Sequence, residues 1–274
     1  MIKLAMNRTC SPEMTIQDFI GLTKKVGINA VEIRNDIEGR EFADGTKAKD
    51  LKAKIDDAGL RLASINALQR FNDWTSERDN EARSLIEYTA TLGAPGLVMC
   101  PVHVPGHGWS EAELERKLRE SLKMLRPIFQ DHGVTGYVEP LGMTHSTMKR
   151  QATAVEAVGD IDGWDAFELC YDTFQFFRCG DDRLFPEHIG LTHISGITRP
   201  DLAPEELTEP DRGFVESTDR VGNIEQLKTL IGAGYQGFIS IEPFNPEVQN
   251  DPSIAAKLAA SAEHVAAALG IERG

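Results

Sequence analysis

Two short stretches, YVEP at residues 137–140 and SIEP at 240–243, each run an apolar segment into a glutamate that proline follows at once. A buried carboxylate is costly unless something pairs with it. Between them stand Asp172 in CYD and His193 in LTH, each at the end of another short apolar run. Glu139, Asp172, His193 and Glu242 therefore make a set of three carboxylates and one imidazole, far apart in the chain but alike in local setting. Such an oxygen-rich set suits one divalent metal ion, Mn2+, Co2+, Mg2+ or Zn2+. A single acid past a strand end is as readily a helix cap or a solvated loop residue. Four in succession favour a shared site.

They can meet only if the fold carries them to one place. The chain repeats a unit in which an amphipathic helix, often closed by glycine, leads into a short apolar strand. The strands read as 2–6, 30–33, 61–65, 97–100, 135–138, 167–171, 190–194 and 237–241. Thr15 with Asp18, and Ser110 with Glu113, resemble capping boxes that start helices. Leu114, Leu118, Leu122, Leu125 and Phe129 form the apolar stripe of one long helix, and Pro127 is expected to bend or end it. Asn223 is expected to cap the helix after it, and Asp251 with Pro252 to open the last one. The connection at 180–189 leaves room for a helix of only a turn or two.

Strands alternating with helices imply right-handed crossovers and a parallel sheet. Eight of them predict an α/β fold with a single (β/α)8 TIM barrel over residues 1–274. An open doubly wound sheet would be favoured by a glycine-rich turn after the first strand, and NRTCSPEM lacks it. In such a barrel the active site lies at the C-terminal ends of the strands. The second strand ends in Glu32 and Arg34, the third in Asn66, and the fourth in Pro101 and His103. The fifth to eighth deliver Glu139, Asp172, His193 and Glu242 in turn. Asn66 and His103 are candidate substrate contacts, although His103 lies in a glycine- and proline-rich loop where a histidine is as readily incidental.

Composition narrows the partners. Among 274 residues, 29 Lys and Arg face 43 Asp and Glu, a net charge of −14. That speaks against nucleic acid and against an anionic membrane, both of which need a basic surface. The 41% hydrophobic content is enough for a large core. Cys10, Cys100, Cys170 and Cys179 are dispersed, as reduced thiols in a cytoplasmic protein would be. No basic-then-apolar leader follows Met1, and no run is long enough to span a bilayer.

Several segments carry a resemblance: NAVEIR, LASINALQRFND, TLGAPGLVMCP, VEPLG, YDTFQFF, LTHIS, ELTEPDR and SIEPFNPE. Through them essentially the whole chain resembles the xylose isomerase-like superfamily of metal-dependent sugar isomerases and epimerases. Within it, the inosose (2-keto-myo-inositol) isomerases look nearest. The resemblance implies that Glu139, Asp172, His193 and Glu242 hold the metal and that Glu139 and Glu242 are the catalytic acid/base pair. It also implies a small keto-sugar or cyclitol substrate, proton transfer through an enediolate, and a homo-oligomer. There are departures in the substrate-facing residues. Gln175 stands where the family usually has histidine, and Ser195 and Gly196 where many members have an acid after the metal-binding histidine. Arg199 and Arg212 fall at spacings where relatives bind substrate, and with Gln175 they complete the candidate substrate contacts. A metal-dependent dehydratase of a keto-cyclitol or dehydroshikimate-like substrate begins with the same proton abstraction and is the alternative. A non-catalytic binding barrel is a further one, disfavoured by the intact ligand set.

Overall fold

The computed structural model describes residues 2–274; Met1 lies outside them. Eight parallel strands close into a barrel: Lys3–Asn7, Ala30–Arg34, Arg61–Gln69, Gly96–Cys100, Thr135–Val138, Phe167–Asp172, Ile189–Ile194 and Phe238–Ile241. The first strand pairs with both the second and the eighth, which closes the ring. The eight strands fall where the sequence pattern places them, because each is a short β-branched or apolar run bounded by turn residues.

Side chains alternate between the helices outside and the barrel lumen. Outward residues such as Leu4, Ile33, Leu97, Val138 and Ile239 join the helix faces in one large core. The lumen is filled unevenly. Ala5, Ala30, Ala63 and Ala67 are small, whereas Tyr137 thrusts its ring across from the fifth strand. Glycines on the fourth and seventh strands admit that ring. A Cβ on Gly96 would lie 2.2 Å from Tyr137 Cε2, and one on Gly190 would lie 2.6 Å from Tyr137 Cε1.

Three local expectations are corrected. Pro127 neither ends nor interrupts its helix, which runs Glu111–His132. Pro127 is on the exposed side, so water can serve the carbonyl left unbonded, while Leu125, Ile128 and Phe129 stay buried around it. Asn223 is not the cap of Asn223–Gly232 but its first helical residue. Gly222, with φ of 74°, takes the cap position. The Asn223 amide instead donates to the Ser195 carbonyl and accepts from the Thr173 hydroxyl, tying two strand ends together. The last helix starts at Ile254, with Ser253 at its cap, and Asp251 accepts from the Ser253 amide two residues ahead of the helix. The two predicted capping residues Thr15 and Ser110 do accept from the amides of Asp18 and Glu113.

The irregular stretch 196–222 is anchored by a two-residue antiparallel ladder, Gly196–Ile197 against Arg212–Gly213. The Arg212 carbonyl also accepts from the amides of Phe244 and Asn245. The long loop is thereby fastened across the top of the barrel. Gly96→Ala is expected to destabilise the fold by about 2 kcal/mol or more through the clash with Tyr137, read as a lowered denaturation midpoint.

Candidate metal centre and cavity

The lumen ends in charge. Asn7, Glu32, Arg34, Asn66, Glu139 and Asp172 are all buried, as are His193, Arg212 and Glu242. Local sequence explains how the key acids arrive there. Glu139 and Glu242 each lie one residue past a strand, yet their amides still donate to the neighbouring strand, to the carbonyls of Met99 at 3.1 Å and Ile194 at 2.9 Å. The pleat is therefore continued for one residue and the side chain points inward. Pro140 and Pro243, with no N–H to extend the ladder, follow.

Asp172 combines two roles. Its Oδ1 caps the short helix Thr173–Arg178, accepting from the amides of Phe174 and Gln175 at 2.8 and 3.0 Å. Its Oδ2 accepts from Arg212 Nη2 at 2.6 Å. The same guanidinium donates to Glu242 Oε2 at 2.9 Å, Glu209 Oε2 at 2.7 Å and Ser195 Oγ at 2.9 Å. From the opposite wall Arg34 Nη1 donates to Glu242 Oε1 at 3.1 Å. His193 Nδ1 lies 3.0 Å from Glu139 Oε1 and 3.4 Å from Glu242 Oε2.

Ligand atoms of Glu139, Asp172, His193 and Glu242 all fall within 4.8 Å of one another. The chemistry of this donor set fits a divalent ion. Four buried carboxylates, Glu32, Glu139, Asp172 and Glu242, face two buried guanidiniums, Arg34 and Arg212. Arg34 is also held by Asp36 and Arg212 by Glu209, so an excess of negative charge remains that a divalent cation would offset. The protein's own fields split the acids. Burial raises the pKa of Glu242, and repulsion from Glu139 adds to it; His193, Arg212 and Arg34 offset only part. Burial acts on Glu139 too, but His193, the Cys100 thiol and Arg212 overcome it, and Glu139 is held below the ordinary carboxylate range. Burial works against charge on His193, yet Cys170 and the carboxylates Glu242, Glu32 and Glu139 raise its pKa well above the usual value.

Over this cluster opens a cavity of about 150 Å³. Its walls carry Asn66, His103, Gln175, Arg212, Arg34 and Phe244, with Glu139 and Glu242 at the floor. Four of the five sequence-derived substrate candidates thus line it. Arg199 does not. It is exposed and pairs with Asp201 at 2.9 Å, because the loop turns outward between the two strands of its small ladder before returning with Arg212. Asn66 lies deeper than a simple substrate contact, donating to Glu242 Oε1 at 3.1 Å. Gln175 is buried; its Nε2 donates to Glu209 Oε1 at 2.8 Å, and its Oε1 has no partner.

Arg34, Glu209 and Phe244 were not among the sequence candidates. Phe244 lies under both guanidiniums, 4.7 Å from Arg212 and 5.5 Å from Arg34. Arg34 had a legible signal, two residues past Glu32 on the same face of a strand that ends at the mouth. Glu209 had none, since a loop acid gains its place only from the fold of 196–222.

The family model for the xylose isomerase-like TIM barrel matches residues 20–266. The chain belongs to that family. Among solved structures, a xylose isomerase domain protein of Salmonella typhimurium is 25% identical, with a TM-score of 0.86 over 97% of each chain. The IolI protein, solved with a zinc atom bound, is 22% identical, with a TM-score of 0.86 over 98% of each chain. D-psicose 3-epimerase of Clostridium cellulolyticum, solved with D-tagatose, is 16% identical, with a TM-score of 0.77 over 97% of this chain and 99% of its own. A search among curated proteins gives no significant match. Among the described residues, no helix is long and apolar enough to cross a membrane.

Arg212→Met removes the group that separates Asp172 from Glu242 and is expected to cost about 3–5 kcal/mol of stability. Added Mn2+ or Zn2+ should restore more of the melting temperature in this variant than it adds to the parent, as thermal unfolding with and without the ion will show.

Proposed function

We propose that the protein is a divalent-metal-dependent isomerase or epimerase of a small keto-sugar or keto-inositol, acting by proton transfer beside a carbonyl. The observation that carries this reading is the set Glu139, Asp172, His193 and Glu242, whose ligand atoms lie within 4.8 Å of one another, with Glu139 and Glu242 at the cavity floor. Two carboxyls facing one small cavity are suited to act as base and acid in one site. The family supports the reading, as do likenesses to a zinc-binding IolI and to a sugar epimerase.

Glu139, Asp172, His193 and Glu242 would hold the ion, which supplies Lewis-acid stabilisation of charge developing on the substrate's carbonyl oxygen. One of Glu139 and Glu242 would take the proton from the carbon beside the carbonyl, and the other would return one from its own side. Arg212 and Arg34 hold the carboxylates in place. Leu141, Met143 and Phe244 make an apolar wall that limits water. The cavity of about 150 Å³ is small, which favours one small polyol as its occupant.

Gln175 adds selectivity. Glu209 is an acceptor, so it fixes the Gln175 amide with Nε2 toward it, and the Gln175 side chain shapes the cavity wall. An inosose remains the most specific substrate the resemblance offers.

Metal-loaded protein incubated in D2O with keto-inositols and ketoses should place deuterium beside the carbonyl of one of them, followed by NMR. Glu139→Gln and Glu242→Gln should each slow that exchange by roughly 100-fold or more. Exchange at the parental rate in a folded variant would sink the acid/base assignment. Loss of water to an ultraviolet-absorbing product would replace isomerisation with dehydration.

Ion affinity should also depend on pH. His193 and Glu242 both hold protons more tightly than usual, and both must release them to bind a cation. Affinity measured by calorimetry should therefore rise from about pH 6 to about pH 8. A flat or falling profile would contradict the assignment.

A further inference from the structure

We propose that Glu32 is a positioning residue for the metal centre, holding His193 so that Nε2 keeps its proton and Nδ1 faces the cation. The proposal rests on the metal reading of Glu139, Asp172, His193 and Glu242 given above.

Glu32 is fully buried midway along the second strand and does not line the cavity, so it is no substrate contact. Both of its carboxylate oxygens lie 3.1 Å from His193 Nε2. The other ring nitrogen, Nδ1, lies 3.0 Å from Glu139 Oε1, among the cluster of possible ligands. The imidazole thus stands between two different neighbourhoods, and only an unprotonated nitrogen can bind a cation. Both ring nitrogens face carboxylates, but only Nδ1 faces the ligand cluster; with an ion held there Nδ1 gives up its proton, whereas Nε2 keeps its own because the Glu32 carboxylate can only accept a hydrogen bond. Glu32 is not itself in that ligand cluster.

Glu32 is in turn immobilised from three other strands. The Ser64 hydroxyl donates to its Oε1 at 2.7 Å, the Ser240 hydroxyl to its Oε2 at 2.6 Å, and the Asn7 amide to its Oε2 at 2.8 Å. Ser240 lies directly opposite His193 in the strand register. The barrel itself therefore sets the angle of the carboxylate, and the carboxylate sets the angle of the ring. Asn7 also donates to Glu242 Oε1 at 3.2 Å, extending the same frame to a second ligand.

The test uses Mn2+, Co2+ and Zn2+ themselves. Glu32→Gln protein is titrated with each by calorimetry, and the imidazole nitrogens of the zinc-loaded protein are observed by long-range proton–nitrogen NMR. The parent should show a protonated Nε2 and an unprotonated Nδ1 on His193. The variant should bind about 10–100-fold more weakly and lose the single His193 tautomer. Affinity within about twofold of the parent, with an unchanged His193 spectrum, would overturn the proposal. So would a parent spectrum with the proton on Nδ1. If Glu32→Gln does not fold, Ser240→Ala removes one orienting hydroxyl while keeping the charge; it should weaken binding to a smaller extent, and unchanged affinity there counts against the proposal equally. If the parent binds none of the three ions, the metal reading fails, and that result differs from a parent that binds and a variant that binds as well.

Discussion

Arg212 Nη2 lies 2.6 Å from Asp172 and 2.9 Å from Glu242, wedged between two carboxylates that would otherwise repel. Bringing so many acids to one end of a narrow barrel is unfavourable unless counter-charges arrive with them. Much of the surrounding architecture follows from that requirement. Arg34 comes up from the second strand, Arg212 comes back over the top on a loop, and Phe244 lies against the faces of both guanidiniums. The two arginines, each paired with a further acid as well, Asp36 and Glu209, offset only part of the charge of the four buried acids. The remainder is the charge that the proposed cation would offset.

The site is built in layers along the barrel axis. Small alanines and the Tyr137 ring fill the lower lumen. Above them Asn7, Ser64, Ser240 and Glu32 form a hydrogen-bonded frame around His193. The candidate ligands lie on that frame, and the cavity opens over them. A rigid lower layer matters because the proposed proton transfer would need Glu139 and Glu242 held in place relative to a substrate. The loop at 196–222 contributes Glu209 and Arg212, so the counter-charge to Asp172 and Glu242 and the partner of Gln175 arrive on the same segment.

Much of this was legible before any coordinates. Eight apolar runs at regular spacing define the strands, because a parallel strand buried on both faces must be continuously apolar. An acid or imidazole at the end of such a run stands out for the same reason, and Glu139, Asp172, His193 and Glu242 were found in that way. Local helix ends were read less well. Asn223 has the right chemistry for a cap, but its amide is recruited to join Thr173 to Ser195. Pro127 has the right chemistry to break a helix, but packing on the buried side outweighs one lost hydrogen bond.

The sequence by itself determined the barrel and the four residues at its mouth, since both follow from periodicity and from what a strand can bury. Only the tertiary structure decided which other charges serve them. Arg199 and Arg212 are indistinguishable as residues in a polar loop, yet a two-residue ladder sends one into solvent and the other between Asp172 and Glu242. Glu32 likewise reads as one more strand acid, and it becomes the partner of His193 only when the second and seventh strands face each other across the lumen. Contacts across a closed barrel join residues 161 positions apart in the chain, as Glu32 and His193 are. No local pattern encodes that distance.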